Sequence, residues 1–234
     1  MVTAILFDLD ATLLPMEPEM LINADLRGIG IRLQNYGYDA RMVGKAFDRG
    51  IHTMINNDGK NSNETVFWNC FRETLGEQFE KDIPLVEEIY YSEFQKLKQF
   101  CGFDPRASQC LAALKDSGYR LILATNPVFP ASIIHSRIRW AGIDPDIFEH
   151  ITSFANSSYC KPNPCYYREI LNKRNLCAEE CLMVGNDVTE DMVAGKVGIK
   201  TFLMTDHLHN KDKRDINQWP HGSFPELMNF IQEL

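Results

Sequence analysis

The stretch Ile5-Leu6-Phe7-Asp8-Leu9-Asp10-Ala11-Thr12 decides the fold, because an apolar run ends there in two acids separated by one residue. The segment from Val2 to Asp8 is nearly all apolar, which is typical of a central strand covered on both faces. Side chains two apart in a strand project to the same side, so Asp8 and Asp10 face one small volume. Such a pair is tolerated when one acid is protonated or a cation lies between them. Taken alone, the pair is equally consistent with a strand end followed by an Asp/Thr turn.

The composition predicts a globular protein with one large domain, or a core with a smaller insertion. Of its 234 residues, 44% are hydrophobic and 24% are charged. The formal charge of -8 argues against a nucleic-acid partner, which needs clustered Lys and Arg, but leaves a small phosphorylated substrate open. The run Met1 to Phe7 is too short for a secretory signal, and no apolar stretch reaches the ~20 residues that span a bilayer. We therefore expect a cytoplasmic protein without a membrane partner.

The seven cysteines form a scattered, odd-numbered set without C-x-x-C pairs. A zinc site built from Cys160/Cys165 and Cys177/Cys181 would have poor spacing and no suitably placed His. Reduced thiols are therefore the expectation.

The segment from Pro15 to Phe100 is predicted to be an all-helical block inserted after the first strand. Apolar residues recur near helical spacing from Glu19 to about Gln34. Further helices are predicted at Ala40 to Asn56, Thr65 to Leu75 and Ile83 to Phe100. No run typical of a strand lies between them.

From Asp104-Pro105 onward, strands alternate with helices. Strands are predicted at 120–124, 151–154, 181–184 and 200–204, and helices at 106–117, 130–141, 164–174, from Asp187 or Thr189 to 197, and from Phe224, after a loop at 206–223. This alternation implies βαβ units with right-handed crossovers, hence a parallel sheet with helices on both faces. Ligands in such folds bind beyond the carboxyl ends of the strands.

Polar pairs follow three of the predicted strands, so they should meet at one edge of the sheet. The pairs are Asp8/Asp10, Thr125/Asn126 and Asn186/Asp187, and further polar residues are Lys161, next to Pro162, and Asp191. In this order the segments resemble those of the haloacid dehalogenase superfamily of phosphoryl-transfer hydrolases. The resemblance spans nearly the whole chain, and it implies a Rossmann-like α/β core at 1–14 and 101–234 with a helical C1-type cap at 15–100.

The resemblance also implies roles for the polar residues. Asp8 would attack phosphorus and form an aspartyl-phosphate, and Asp10 would act as general acid and base. Thr125, Asn126 and Lys161 would bind the phosphate oxygens. Mg²⁺ would be held by Asp8, the backbone carbonyl of Asp10 and a residue of the fourth segment. That residue is either Asp187, which we favour, with Asp191 lying one helical turn further out, or Asn186 through its carbonyl oxygen.

Two features qualify the resemblance. Ala11 stands where the family usually has Gly, with some loss of backbone freedom. Dehalogenases of the superfamily lack an acid at the position of Asp10, so this residue favours phosphoryl transfer over carbon–halogen cleavage.

A Mg²⁺-dependent phosphatase acting on a small phosphorylated metabolite is the leading interpretation. A phosphomutase and a non-catalytic binding or regulatory protein are the alternatives.

The identity of the substrate and the oligomeric state are not indicated by the sequence. Residues of the insertion that could meet a substrate are Arg41, Lys45, Arg49, His52, Lys60 and Trp68. Phe67, Trp68 and Phe71 are more typical of the core of the insertion than of a stacking platform, and Glu190 is typical of a solvated helix residue. His207 and His209 fall in the predicted polar loop.

Overall fold

The computed structural model of the protein describes residues 1–16 and 26–234. Its sheet has six parallel strands in the order β3-β2-β1-β4-β5-β6. The strands are β1 (Ala4–Phe7), β2 (Arg120–Leu123), β3 (His150–Ile151), β4 (Cys181–Gly185), β5 (Lys200–Met204) and β6 (His221–Gly222). The predicted parallel sheet is thus confirmed, with the strand before the two acids between β2 and β4.

The helices fall into two groups. Those of the insertion are α1 (Leu26–Gln34), α2 (Ala40–Ile55), α3 (Asn63–Leu75) and α4 (Ile83–Gln95), with 3₁₀ segments at Glu77–Asp82 and Lys96–Phe100. Those around the sheet are α5 (Pro105–Asp116), α6 (Ala131–Trp140), α7 (Pro164–Arg174) and α8 (Phe224–Gln232). The predicted helix from Glu19 begins outside the described residues. Within the described part of residues 15–100 there is no strand, as predicted, whereas the limits of a separate cap domain stay a prediction.

Strand β1 is completely buried, because helices cover both faces of the sheet. Ile5 and Phe7 pack into the core on one side, and Ala4 and Leu6 into the core on the other. The alternation of side chains along a strand produces this division. A fully apolar β1 therefore places Asp8 at the first position where the chain leaves the sheet.

The insertion has an aromatic core of its own. Phe67 lies with its ring centroid 4.9 Å from that of Trp68 and 5.0 Å from that of Phe71, and all three side chains are buried. The prediction that these residues form core is confirmed. At the other end of the insertion, Phe94 of α4 stacks on Trp140 of α6 with a centroid distance of 5.8 Å. This contact joins the insertion to a helix of the α/β core.

Three local predictions are wrong. The chain after Asp187 forms a 3₁₀ helix at Met192–Val197 instead of an α-helix, because the Asp187 carboxylate binds nearby backbone N–H groups and Gly195 weakens the helix. The strand predicted at 151–154 covers only His150–Ile151, and the loop at 206–223 contains β6. Short strands at the edges of a sheet carry too little sequence pattern to be located.

An ion-pair cluster holds the amino-terminal edge of the sheet, opposite the acids. Glu149, just before β3, accepts hydrogen bonds from Arg120 of β2 at 2.7 and 2.6 Å and from Arg174 Nε at 3.1 Å. Hydrogen bonds from Arg120 and then from Arg174 lower the pKa of Glu149 to about 2.

Within the part of the chain that is described, no helix is long and apolar enough to cross a bilayer.

Candidate active site

Lys161 is the centre of a buried charge cluster at the carboxyl ends of β1 and β4. Its ammonium Nζ donates to Asp8 Oδ1 at 2.8 Å and to Asp191 Oδ1 at 2.6 Å. The lysine side chain is 1% exposed. Burial alone would lower the pKa of Lys161, but the charges of Asp191 and then Asp8 outweigh burial and hold it well above the ordinary value. Lys161 is therefore a permanent cation in contact with Asp8.

Asp191 completes this cluster from the turn after β4. Burial raises the pKa of its carboxyl group to about 7, although the charge of Lys161 acts in the opposite direction. Its Oδ2 accepts a hydrogen bond from the backbone N–H of Asp187 at 2.9 Å. A Cβ atom on Gly185 would lie 2.1 Å from Asp191 Oδ2, so only glycine permits this approach. The absence of a side chain at Gly185 thus leaves room for the Asp191 carboxylate beside Lys161.

Asp10 is held by a different cation, Arg137 of α6, whose Nη1 donates to Asp10 Oδ2. Burial raises the pKa of Asp10, and the charge of Arg137 opposes this rise. The Arg137 side chain is completely buried. Arg137 is not among the residues predicted from the sequence, although its spacing from the apolar Ile133 and Ile134 places it on the inner face of α6. An arginine on an apolar helical face was the available signal.

Ala11 separates the first acids from the chain that leads to the insertion. Its φ of 60° lies in the left-handed region, and its N–H donates to the carbonyl of Leu14 at 2.8 Å. A non-glycine residue in this region costs about 1–2 kcal/mol. The positive φ explains why the family usually has glycine at this position. In this chain Ala11 adopts the same backbone region at that energetic cost.

Thr12 connects the first segment with the fourth. Its hydroxyl lies 3.3 Å from Asp8 Oδ2 and 3.0 Å from Asn186 Oδ1. Asn186 in turn donates from Nδ2 to the carbonyl of His207 at 2.8 Å. The Asn186 side-chain oxygen and Asp8 Oδ2 therefore both lie beside the Thr12 hydroxyl.

The carboxylate of Asp187 is directed elsewhere. Its Oδ1 accepts from the backbone N–H groups of Thr189 and Glu190 at 2.7 and 2.9 Å, and its Oδ2 lies 2.7 Å from His209 Nδ1. His209 also exchanges backbone hydrogen bonds with Asn186 and Val188. Asp187 thus has local partners for both oxygens, and its role as the preferred metal ligand stays a prediction that this geometry does not favour.

Thr125 and Asn126 follow β2 at the same edge of the sheet. The Thr125 carbonyl accepts from the hydroxyls of Thr152 and Tyr166 at 2.7 and 2.8 Å, which fixes the backbone at this point. Asn126 donates from Nδ2 to Glu190 Oε2 at 3.3 Å. Glu190 is therefore not the solvated helix residue that the sequence predicts, and burial raises its pKa.

Three of the insertion residues proposed to meet substrate have other partners. Arg49 pairs with Glu73 at 2.7 Å and Lys60 pairs with Asp58 at 2.6 Å, both on the surface. Trp68 is 5% exposed and lies within the aromatic core. These contacts account for the three side chains without a substrate.

The donors around Asp8 suit a hard cation, although the described residues contain no cluster of three or more His, Cys, Asp or Glu side chains arranged for a metal. Asp8 and Asp191 share one lysine, so the cluster carries an excess negative charge when both acids are ionised. Asp8 Oδ2 and Asn186 Oδ1 both approach Thr12, and such oxygen donors are the ligands that Mg²⁺ prefers. The residues present therefore fit Mg²⁺.

All seven cysteines are free thiols, as expected.

The parallel sheet with two acids after its central strand and a lysine between Asp8 and Asp191 defines a known class of hydrolase. The pattern of the haloacid dehalogenase-like hydrolases matches residues 2–198, and the chain belongs to this family. The resemblance stated from the sequence is thus confirmed.

Comparison with individual proteins places the chain near phosphatases. It is 25% identical over 230 residues to phosphoglycolate phosphatase of Colwellia psychrerythraea, covering 96% of this chain and 94% of the relative. It is 36% identical over 100 residues to glyceraldehyde 3-phosphate phosphatase of Pyrococcus abyssi, covering 42% and 40%. The crystal structure of a HAD phosphatase from Thermococcus onnurineus is similar in fold, with a TM-score of 0.60, 20% identity and 98% of each chain covered.

Proposed function

We propose that this protein is a phosphatase that removes phosphate from a small phosphomonoester through a covalent intermediate on Asp8. One observation carries the proposal. A buried carboxylate, Asp8, is bonded to the permanent cation Lys161, and a second acid, Asp10, stands two residues away with a cation of its own. A nucleophile, a proton donor and a positive charge are the parts that phosphoryl transfer requires.

The reaction uses these residues in two steps. In the first, an Asp8 carboxylate oxygen bonds to phosphorus, the ester P–O bond breaks, and Asp10 gives its proton to the departing alkoxide. In the second, Asp10 takes a proton from water as that water attacks phosphorus, and the bond between phosphorus and Asp8 breaks. The products are an alcohol, inorganic phosphate and the restored Asp8 carboxylate.

The remaining polar residues bind and orient the phosphate. Lys161 neutralises charge on its oxygens, and the Thr125 hydroxyl and the Asn126 amide, at the end of β2, are suited to donate hydrogen bonds to it. The Asn126 Oδ1 atom is buried and has no hydrogen-bond partner among the described residues, so it is available to accept a hydrogen bond from a substrate hydroxyl or from water.

Mg²⁺ would be held by Asp8, the Asp10 backbone carbonyl and the fourth segment, with Asn186 favoured over Asp187 by its proximity to Thr12. When bound, it would withdraw charge from the phosphate oxygens and reduce repulsion from the carboxylates.

The relatives suggest which substrates to test first. Proteins named phosphoglycolate phosphatase match nearly the whole chain, and one named glyceraldehyde 3-phosphate phosphatase matches part of it. Both names denote a phosphate ester on a two- or three-carbon compound. We therefore place 2-phosphoglycolate and glyceraldehyde 3-phosphate at the head of a panel that also includes sugar phosphates and nucleotides.

The test is the release of inorganic phosphate from this panel in the presence of excess Mg²⁺, compared with the same reactions in EDTA. Asp8→Asn should lower kcat by at least about a thousandfold, whereas Asp116→Asn, an exposed acid at the end of α5, should leave it unchanged. Full activity of the Asp8 variant would refute the mechanism. Return of the phosphoryl group to a sugar phosphate, without release, would identify a mutase instead.

A further inference from the structure

Arg137 is a buried cation that the proposed mechanism has not used. Its side chain is completely buried, and among the residues that the structure describes its ion-pair partner is Asp10. Two of its nitrogen atoms, Nε and Nη2, are buried without a hydrogen-bond partner. Burial of a guanidinium group with unused donors is costly, so a role in structure alone does not account well for its presence.

The contact between Arg137 and Asp10 involves one oxygen of the carboxyl group. Arg137 Nη1 binds Asp10 Oδ2, whereas Asp10 Oδ1 is buried without a partner among the described residues. An arginine that served only to neutralise a carboxylate would normally bind both oxygens through its fork. The observed arrangement fixes the carboxyl group at one oxygen and leaves the other unengaged.

Two aromatic rings surround the guanidinium group of Arg137. Its central carbon lies 4.6 Å from the ring centroid of Phe129 and 6.0 Å from that of Phe94. A planar guanidinium can pack on such rings while it donates a hydrogen bond at its edge, which the tetrahedral ammonium of lysine cannot reproduce. Phe94 belongs to the insertion, so Arg137 lies where the insertion, α6 and the first acidic segment meet.

We propose that Arg137 is a positioning residue for proton transfer, which holds Asp10 by Oδ2 so that Oδ1 exchanges the proton with the leaving oxygen and with water. The inference rests on the proposed phosphatase function. It assigns no contact with the substrate to Arg137. Its consequence is that loss of the guanidinium impairs the step that needs an acid, and not the attack of Asp8 itself.

The experiment compares two esters that differ in their need for a proton. Phenyl phosphate has a poor leaving group, whereas 2,4-dinitrophenyl phosphate has a good one that departs without protonation. The measured quantity is kcat/KM, which reports the step in which the ester bond breaks. We expect Arg137→Lys to lower it about 10- to 100-fold for phenyl phosphate and less than about threefold for the dinitrophenyl ester, since general acid catalysis contributes about 10²–10⁴.

Arg139→Lys is the matched control, because Arg139 lies on the same helix with an exposed side chain and should change neither value. A second measurement uses the Asp10→Asn background, in which Arg137→Met leaves no buried charge unpaired. If Arg137 acts through Asp10, the double variant Asp10→Asn/Arg137→Met differs from Asp10→Asn by less than about twofold in kcat/KM for either ester.

Equal losses on the two esters, or a further loss of tenfold or more in the Asp10→Asn background, would overturn the role of Arg137 while leaving the phosphatase proposal intact. A wild-type protein that releases phosphate from neither ester nor from any member of the metabolite panel would instead refute the phosphatase proposal, and the role of Arg137 with it.

Discussion

Replacement of Lys161 by Met is expected to lower the free energy of unfolding by about 3–5 kcal/mol, the usual cost of removing one partner from a buried ion pair. Met is close to Lys in length and fills most of the same space, so the loss is electrostatic and not due to a cavity. Two carboxylates lose their partner at once, because the Lys161 ammonium lies 2.8 Å from Asp8 Oδ1 and 2.6 Å from Asp191 Oδ1.

The exposure of the two acids sets the magnitude. The Asp191 side chain is 1% exposed and that of Asp8 is 12% exposed, so water cannot replace the lost hydrogen bonds at Asp191. Burial already raises the pKa of Asp191 to about 7 in the presence of the lysine. Without the lysine, Asp191 takes up a proton at neutral pH, and this uptake prevents a loss larger than about 5 kcal/mol.

Urea unfolding followed by circular dichroism, with EDTA present to exclude metal binding, measures this difference. Lys173→Met is the control, because Lys173 lies at the same distance of 2.8 Å from Glu169 but its side chain is 42% exposed. Exposed pairs contribute about 0–1 kcal/mol. Lys161→Met/Asp191→Asn should recover much of the loss, since Asn is neutral without the proton uptake that Asp191 requires in the single variant. A cost for Lys161→Met within about 1 kcal/mol of that for Lys173→Met would show that burial does not determine the strength of this cluster.

Three further predictions concern the edges of the sheet and the fourth segment. Glu149→Gln should cost about 1–2 kcal/mol at pH 7. Because the pKa of about 2 in the folded state lies below the ordinary carboxyl value, this contribution is complete above about pH 5 and is lost as the pH falls through about 2, so the unfolding free energies of variant and wild type in urea should converge only below about pH 2. Gly185→Ala should cost about 1–3 kcal/mol in thermal unfolding, since its Cβ would lie 2.1 Å from a buried carboxylate oxygen, whereas Gly44→Ala, with nothing within 4 Å, should be neutral or stabilising. Asn186→Ala should raise the Mg²⁺ concentration for half-maximal activity at least about tenfold more than Asp187→Ala, and the reverse order would identify Asp187 as the ligand.

The strong periodic features of the sequence are those that the fold confirms. The apolar run that ends at Asp8 forms the central strand β1, and the helix predicted at 164–174 has the observed bounds Pro164–Arg174. In both, burial and local propensity favour the same structure. The segment after Asp187 differs because side-chain bonds to the backbone, which leave no periodic signal, compete there with the α-helix.

The site was predictable to the extent that its residues follow strands. Asp8, Thr125 and Asn186 each come after a strand, and the topology of a parallel sheet brings them to one edge. The preference for Asn186 over Asp187 rests on the Asn186 contact with Thr12 and on the contact of Asp187 with His209, a residue of a different segment. Spacing along one segment does not contain that information.

The two acids of the first segment are bound by different cations, which supports the different roles proposed for them. Lys161 binds Asp8. Arg137 of α6, which packs against the ring of Phe129, binds Asp10. Distinct environments for neighbouring carboxyl groups are the general means by which one acts as nucleophile and the other as acid. Because the guanidinium group of Arg137 also lies 6.0 Å from the ring centroid of Phe94 in the insertion, we expect the position of Asp10, the proposed acid, to depend on how the insertion packs.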